Sequence, residues 1–184
     1  MFRLSPMLFL KLCVRPISNR MTRIADTETV ARAIFSPQMI GSDGELLLAA
    51  FALRVFKDGT AENYISVNRT SVDSWIDDIR RIPQRRSRVL YGYAELGVEQ
   101  IHNIDIEVNG HDIVFNVYDC SENSTPSHAG IFVDIEGNIL TGGKNPVLSV
   151  LMPNQPESFV MMAIQEELLN IAKNKFVRHF SFKS

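Results

Sequence analysis

Between Ile104 and Val117 the chain has few conformations open to it. Ile104, Ile106 and Val108 alternate with Asp105 and Glu107, Asn109-Gly110 follows, and Ile113, Phe115 and Val117 alternate in turn. A period of two is that of a strand with one buried face. Asn-Gly between two such runs predicts a type I′ hairpin, because both central residues then need positive φ. In that register Ile106 faces Ile113 and Ile104 faces Phe115, so one side of the hairpin is apolar. A sheet with one apolar face must be covered, and the simplest cover is helical.

The remaining segments are read against that hairpin. Asp26 or Thr27 caps an expected first helix running to about Phe35, with Glu28 in its first turn, and Ser36-Pro37 ends it. Leu46 to Phe56 is continuous apolar sequence, which periodicity alone cannot assign. We take it as a strand, since Lys57-Asp58-Gly59 signals a turn and Tyr64 to Asn68 reads as the returning strand. Thr70 or Ser71 caps a short helix through Arg81, striped with Trp75, Ile76, Ile79 and Ile82 and closed by Pro83. Arg88 to Leu96 reads as a strand with Tyr91 and Tyr93 on one face, and Ser121 to Ser127 as a polar loop. Ile131 to Ile135 is a strand, Glu136-Gly137-Asn138 a turn, and Pro146 to Met152 a further strand. A last helix is expected from Pro156 to about Lys175, burying Met161, Ile164, Leu168, Ile171 and Ala172. The sum is α+β: a single domain, mainly antiparallel sheet, with helices packed on one face.

With 184 residues and 45% hydrophobic content, such a domain has enough sequence for a sizeable core. Two cysteines, Cys13 and Cys120, outline neither a disulfide framework nor a zinc site, so a reducing cytoplasm is the expected compartment. Residues 1–20 stand apart: Arg3, Lys11, Arg15 and Arg20 occur there with no acidic residue, and the apolar stretch Met7 to Leu10 is too short to span a bilayer. Three readings are open for this segment: an over-extended gene start with Met21 as the true beginning, a targeting leader, or an arm of the domain. Without it the body, residues 21–184, keeps 15 basic and 21 acidic residues. Its net charge of −6 makes it distinctly acidic, and even the whole chain's −2 gives no global pull toward nucleic acid or membrane.

Chemistry-bearing residues fall in three short segments: Arg32-Ala33-Ile34-Phe35-Ser36-Pro37, Ile65-Ser66-Val67-Asn68-Arg69 and His128-Ala129-Gly130-Ile131. Two guanidiniums and an imidazole brought together would make a site for a phosphate-bearing ligand, with Arg32 and Arg69 holding the charge and His128 acting as acid or base. Arg69 is expected at a strand end beside the following helix's N-terminus, a natural anion position, or else in an ion pair with a carboxylate such as Asp73. Each residue also has an ordinary structural role open to it: Arg32 laying its stem along a helix surface, His128 as a hydrogen-bonded loop histidine. His102 and His111 read as structural.

The order and spacing of the three segments resemble a group of small, uncharacterised prokaryotic proteins with Arg-x-Ile, Ser-Val-x-Arg and His-Ala segments, over roughly Arg32 to Ile131. The resemblance implies that these residues share a site and supplies no reaction. This chain departs from the pattern in having Leu46 to Leu53 where a loop containing Pro and Arg is associated with it.

A second feature competes. Arg80, Arg81, Arg85, Arg86 and Arg88 place five arginines in nine residues. They could meet RNA or DNA phosphates, but no nucleic-acid-binding signature accompanies them, and a solvated or partner-binding loop is the better reading. No phosphate loop, dinucleotide fingerprint or metalloprotease motif occurs, Gly142-Gly143-Lys144 lacks the rest of a phosphate loop, and no cofactor or metal is implied. Asp119-Cys120 near His128 outlines a cysteine-histidine nucleophile, against which stands simple packing of the thiol. The sequence thus supports a non-enzymatic interaction protein of a bacterial system, of a defence or toxin-antitoxin type; the alternative is a small enzyme or binding domain that takes a phosphate-bearing ligand, a nucleotide or an RNA end, in an Arg32/Arg69/His128 pocket.

Overall fold

The computed structural model describes residues 21–83, 88–154 and 156–178, so residues 1–20, including the leader readings, and Arg85 and Arg86 lie outside it. Among the described residues eight strands form one sheet: β1 (Thr29–Ser36), β2 (Ile65–Arg69), β3 (Val89–Gly97), β4 (Ile106–Val108), β5 (His111–Asp119), β6 (His128–Ile135), β7 (Asn138–Ile139) and β8 (Phe176–Arg178). Their order is β4-β5-β6-β2-β1-β3-β8, with β7 added on β6, and these pairings are antiparallel. Four helices among the described residues accompany them: α1 (Trp75–Arg81), α2 (Val98–His102), α3 (Pro146–Leu151) and α4 (Glu157–Lys173). The class is α+β, as expected, and no helix among the described residues is long and apolar enough to cross a membrane.

The hairpin forms in its expected register. Ile106 pairs with Ile113 and Val108 with His111, and Asn109 and Gly110 take φ of 52° and 83°. Ile113, Phe115 and Val117 are buried beneath α2, while Val114 between them is exposed. The turn at Glu136-Gly137 is of the same positive-φ kind.

Three elements differ from expectation. Thr29 to Ser36 is strand β1, not a helix: it lies between β2 and β3, and Val30 to Phe35 are all buried. A strand covered on both faces shows no alternation, and Ala31, Arg32 and Ala33 are residues a helix also accepts. Leu46 to Phe56 is not a strand either. Leu46 makes one bridge with Ile40, Leu48–Phe51 is a turn of 3-10 helix, and Val55 bridges Ala61 across the Lys57 to Gly59 turn. Ala50 and Phe51 enter the core against α4. Pro146 to Leu151 is helix α3, not a strand, with Pro146 at its first position.

Smaller shifts accompany these. α1 starts at Trp75 instead of near Ser71, because Thr70 donates its N–H to the Thr29 carbonyl and Val72 to Arg69, holding those residues in turns. In α4 the buried line is Val160, Ile164, Leu168, Leu169 and Ala172, with Met161 and Ile171 at its margins. Tyr91 and Tyr93 part company: Gly92 pairs with Ile34 but Leu90 with Phe35, so Tyr91 is an extra, bulged residue. It stacks on Phe176, whereas Tyr93 meets Trp75 edge-on. A bulge reverses the alternation beyond it, which turns Arg88 toward Phe35.

Candidate functional site

The pairing of β2 with β6 sets out the site. Asn68 lies opposite His128 and Ser66 opposite Gly130, and directly opposed residues share a face. With Tyr64 just before β2 and Phe132 on β6, this face carries a polar row beside an aromatic one. His128 Nε2 lies 3.2 Å from Ser66 Oγ. The Tyr64 ring stands 5.8 Å from the His128 ring and 5.1 Å from that of Phe132. Gly130 is needed beneath them, since a Cβ there would come within 2.7 Å of the Tyr64 ring. Burial holds the His128 imidazole below its usual pKa of 6.5, so it is neutral at pH 7.

Arg32 reaches the same place from β1. Between β1 and β2 only Val30 with Arg69 and Ala31 with Asn68 are paired. Beyond that short ladder Arg32 Nη1 donates to the Ser66 carbonyl at 2.6 Å and Nε to the Ala50 carbonyl at 3.0 Å. Ala50 lies in the 3-10 turn, whose last carbonyls have no helical partner. Arg32 is 5% exposed. Burial, and next the nearby Arg54, pull its pKa down to about 10, which still leaves it charged at neutral pH. Among the described residues no carboxylate forms an ion pair with it, and its side-chain hydrogen bonds come from Nε and Nη1.

Arg32 and His128 line one cleft of about 400 Å³, together with Arg54, Glu62, Tyr64, Ser66, Asn68 and Arg88. Arg54 is held by Glu62, whose carboxylate takes both Arg54 Nε and the Arg54 backbone N–H. The Arg88 guanidinium lies 3.9 Å above the Phe35 ring, a cation–π contact. Arg54 and Glu62 were not singled out from sequence. Their signal was the Lys57 to Gly59 turn, since a bridge between Val55 and Ala61 sets residue 54 opposite residue 62.

Arg69 does not join this group. Strand alternation sends Ser66 and Asn68 to the cleft and Arg69 to the other face, where it donates to both Glu28 oxygens at 2.9 and 3.0 Å and to Asp119 at 2.8 Å. Hydrogen bonding from Arg69 holds the Glu28 pKa below its ordinary value. The carboxylates are Glu28 and Asp119 in place of the expected Asp73, and the N-terminus of α1 begins only at Trp75. The arginine run also divides: Arg80 pairs with Asp77 and Arg81 with Asp78 on their own helix, while Arg88 enters the cleft.

The Cys120 thiol faces the Tyr118 carbonyl at 3.7 Å, and the residue meets His128 through the backbone, its N–H donating to the His128 carbonyl at 3.1 Å. Burial pushes the thiol pKa up to about 11. His102 accepts the Val117 N–H on Nε2 and has Nδ1 at 2.6 Å from Asp26, a structural role. His111 contacts Glu136 beside its turn. Among the described residues no His, Cys, Asp and Glu side chains group to hold a metal ion. No protein-family model, curated protein or solved structure matches the chain.

Proposed function

We propose that this domain binds a phosphate-bearing small ligand in the cleft between β1, β2 and β6. The observation that carries the reading is Arg32, a buried guanidinium with two neutral carbonyl partners and no ion pair among the described residues. A buried charge of this kind costs several kcal/mol unless it is paired. An anion entering the cleft supplies the missing partner and meets Arg54 and Arg88 on its other sides. Arginine favours phosphate through paired, parallel hydrogen bonds. Neutral His128, in contact with Ser66, stands at the same wall as the group able to exchange a proton with the ligand.

The competing reading, an interaction protein using the Arg80 to Arg88 run, has less support. Its described members point to different places, and two are matched by acids one turn away. The test of the phosphate reading is thermal melting in rising phosphate against sodium chloride of equal ionic strength. At ten times the dissociation constant, a single site adds about 1.4 kcal/mol, or about 3–5 °C in a domain of this size. Equal melting curves in the two salts contradict the reading.

A further inference from the structure

A groove runs to both sides of Arg32. Toward Lys57 the cleft opens past Arg54 and Phe56 into a wider depression of about 660 Å³. Toward Glu122 it continues into a hollow of about 280 Å³, and the two share Ser66, Asn68, Ile82 and His128. Ser66 is also the residue whose carbonyl holds the Arg32 guanidinium. A phosphate paired with Arg32 therefore stands next to the hollow toward Glu122, and a lone phosphate would leave that hollow unfilled.

The chemistry changes on entering this hollow. Among the described residues no arginine or lysine lines it; its walls carry Asp78, Glu122, Ser124 and Thr125 beside the neutral His128. Carboxylates without a cation repel a second anionic group and favour neutral donors. Asp78 is already engaged, accepting the Ser127 N–H at 3.1 Å, the Ser127 hydroxyl at 2.6 Å and the Ser74 hydroxyl at 3.2 Å. Glu122 is exposed, and among the described residues no donor occupies its carboxylate. Its loop is held in place: Glu122 and Thr125 exchange backbone hydrogen bonds at 3.3 and 3.0 Å, and the His128 N–H donates to the Thr125 carbonyl at 3.1 Å. A carboxylate and two hydroxyls fixed beside the phosphate site call for hydroxyl groups on the ligand.

Resting on the phosphate reading of the cleft, we infer that the ligand is a phosphomonoester of a sugar or polyol, its phosphate on Arg32 and its hydroxyls at Glu122 and Thr125. Titration calorimetry with inorganic phosphate, pyrophosphate, phenyl phosphate and ribose 5-phosphate, in chelator to remove metals, tests it. Ribose 5-phosphate should bind at least about tenfold tighter than phosphate, the gain expected of a hydrogen bond to a charged group. Phenyl phosphate, an ester without hydroxyls, and pyrophosphate, which carries a second anionic group, should both bind more weakly than ribose 5-phosphate. Glu122→Ala, at an exposed position, should bring ribose 5-phosphate down to the affinity of phenyl phosphate and leave inorganic phosphate no weaker. If ribose 5-phosphate gains nothing over phosphate, if phenyl phosphate or pyrophosphate gains as much, or if the gain survives Glu122→Ala, the hydroxyl assignment fails and the phosphate cleft stands. If none of the four ligands binds, both fall.

Discussion

Arg32 keeps its charge in a buried place, and among the described residues two of its five N–H donors are taken, by the carbonyls of Ala50 and Ser66. Arg69 is its counterpart in every respect: partly exposed and satisfied by Glu28 and Asp119. Replacing Arg69 with Met should therefore lower stability by about 1–2 kcal/mol, a value reduced for its partial exposure. Urea unfolding measures that loss, and phosphate binding should be unchanged. The His128 imidazole carries a further prediction. Its native pKa lies below 6.5 because burial disfavours the cation. As pH falls past 6.5 the unfolded chain takes up this proton first, so stability falls with pH from there down to the native value. His128→Gln should flatten that part of the curve of urea midpoint against pH; an unchanged slope would show that His128 titrates normally.

At the scale of elements, the face of β2 and β6 depends on what is missing from Gly130. Gly130→Ala should displace the Tyr64 ring and cost about 1–3 kcal/mol by overpacking, seen in the melting temperature. It should also weaken phosphate binding, since Tyr64 lines the cleft. The 104–117 hairpin was legible in the sequence because turn chemistry and alternation are both local and agree. β1 was not, because burial on both faces erases the period of two, and a lone arginine among alanines reads as a helix surface. Half of the candidate site was legible on the same terms. Arg32 and His128 stand out by residue type, and both do reach the cleft. In Ser66-Val67-Asn68-Arg69 the charged residue draws attention, yet the strand's alternation gives the cleft to Ser66 and Asn68. Arg54 and Glu62 were hidden because the apolar run before them suggested a strand, when only the turn between them mattered.

Over the whole molecule the two sides of the sheet have separate work. One side carries the apolar residues of β5 under α2 and those of β3 and β4 under α4, and this packing holds the strands in place. The other opens over β2 and β6 into the groove, bounded by the turn at Lys57, by α1 and by the Glu122 loop. Binding energy gained there need not rearrange the core. The central claim is that Arg32, which forms no ion pair among the described residues, defines an anion site. Phosphate titration calorimetry on the natural chain and on Arg32→Met, with circular dichroism to show that the variant is folded, tests it most directly. Saturable binding by the natural chain that disappears in a folded Arg32→Met is the predicted result; no binding by the natural chain, or equal binding by the variant, would contradict it.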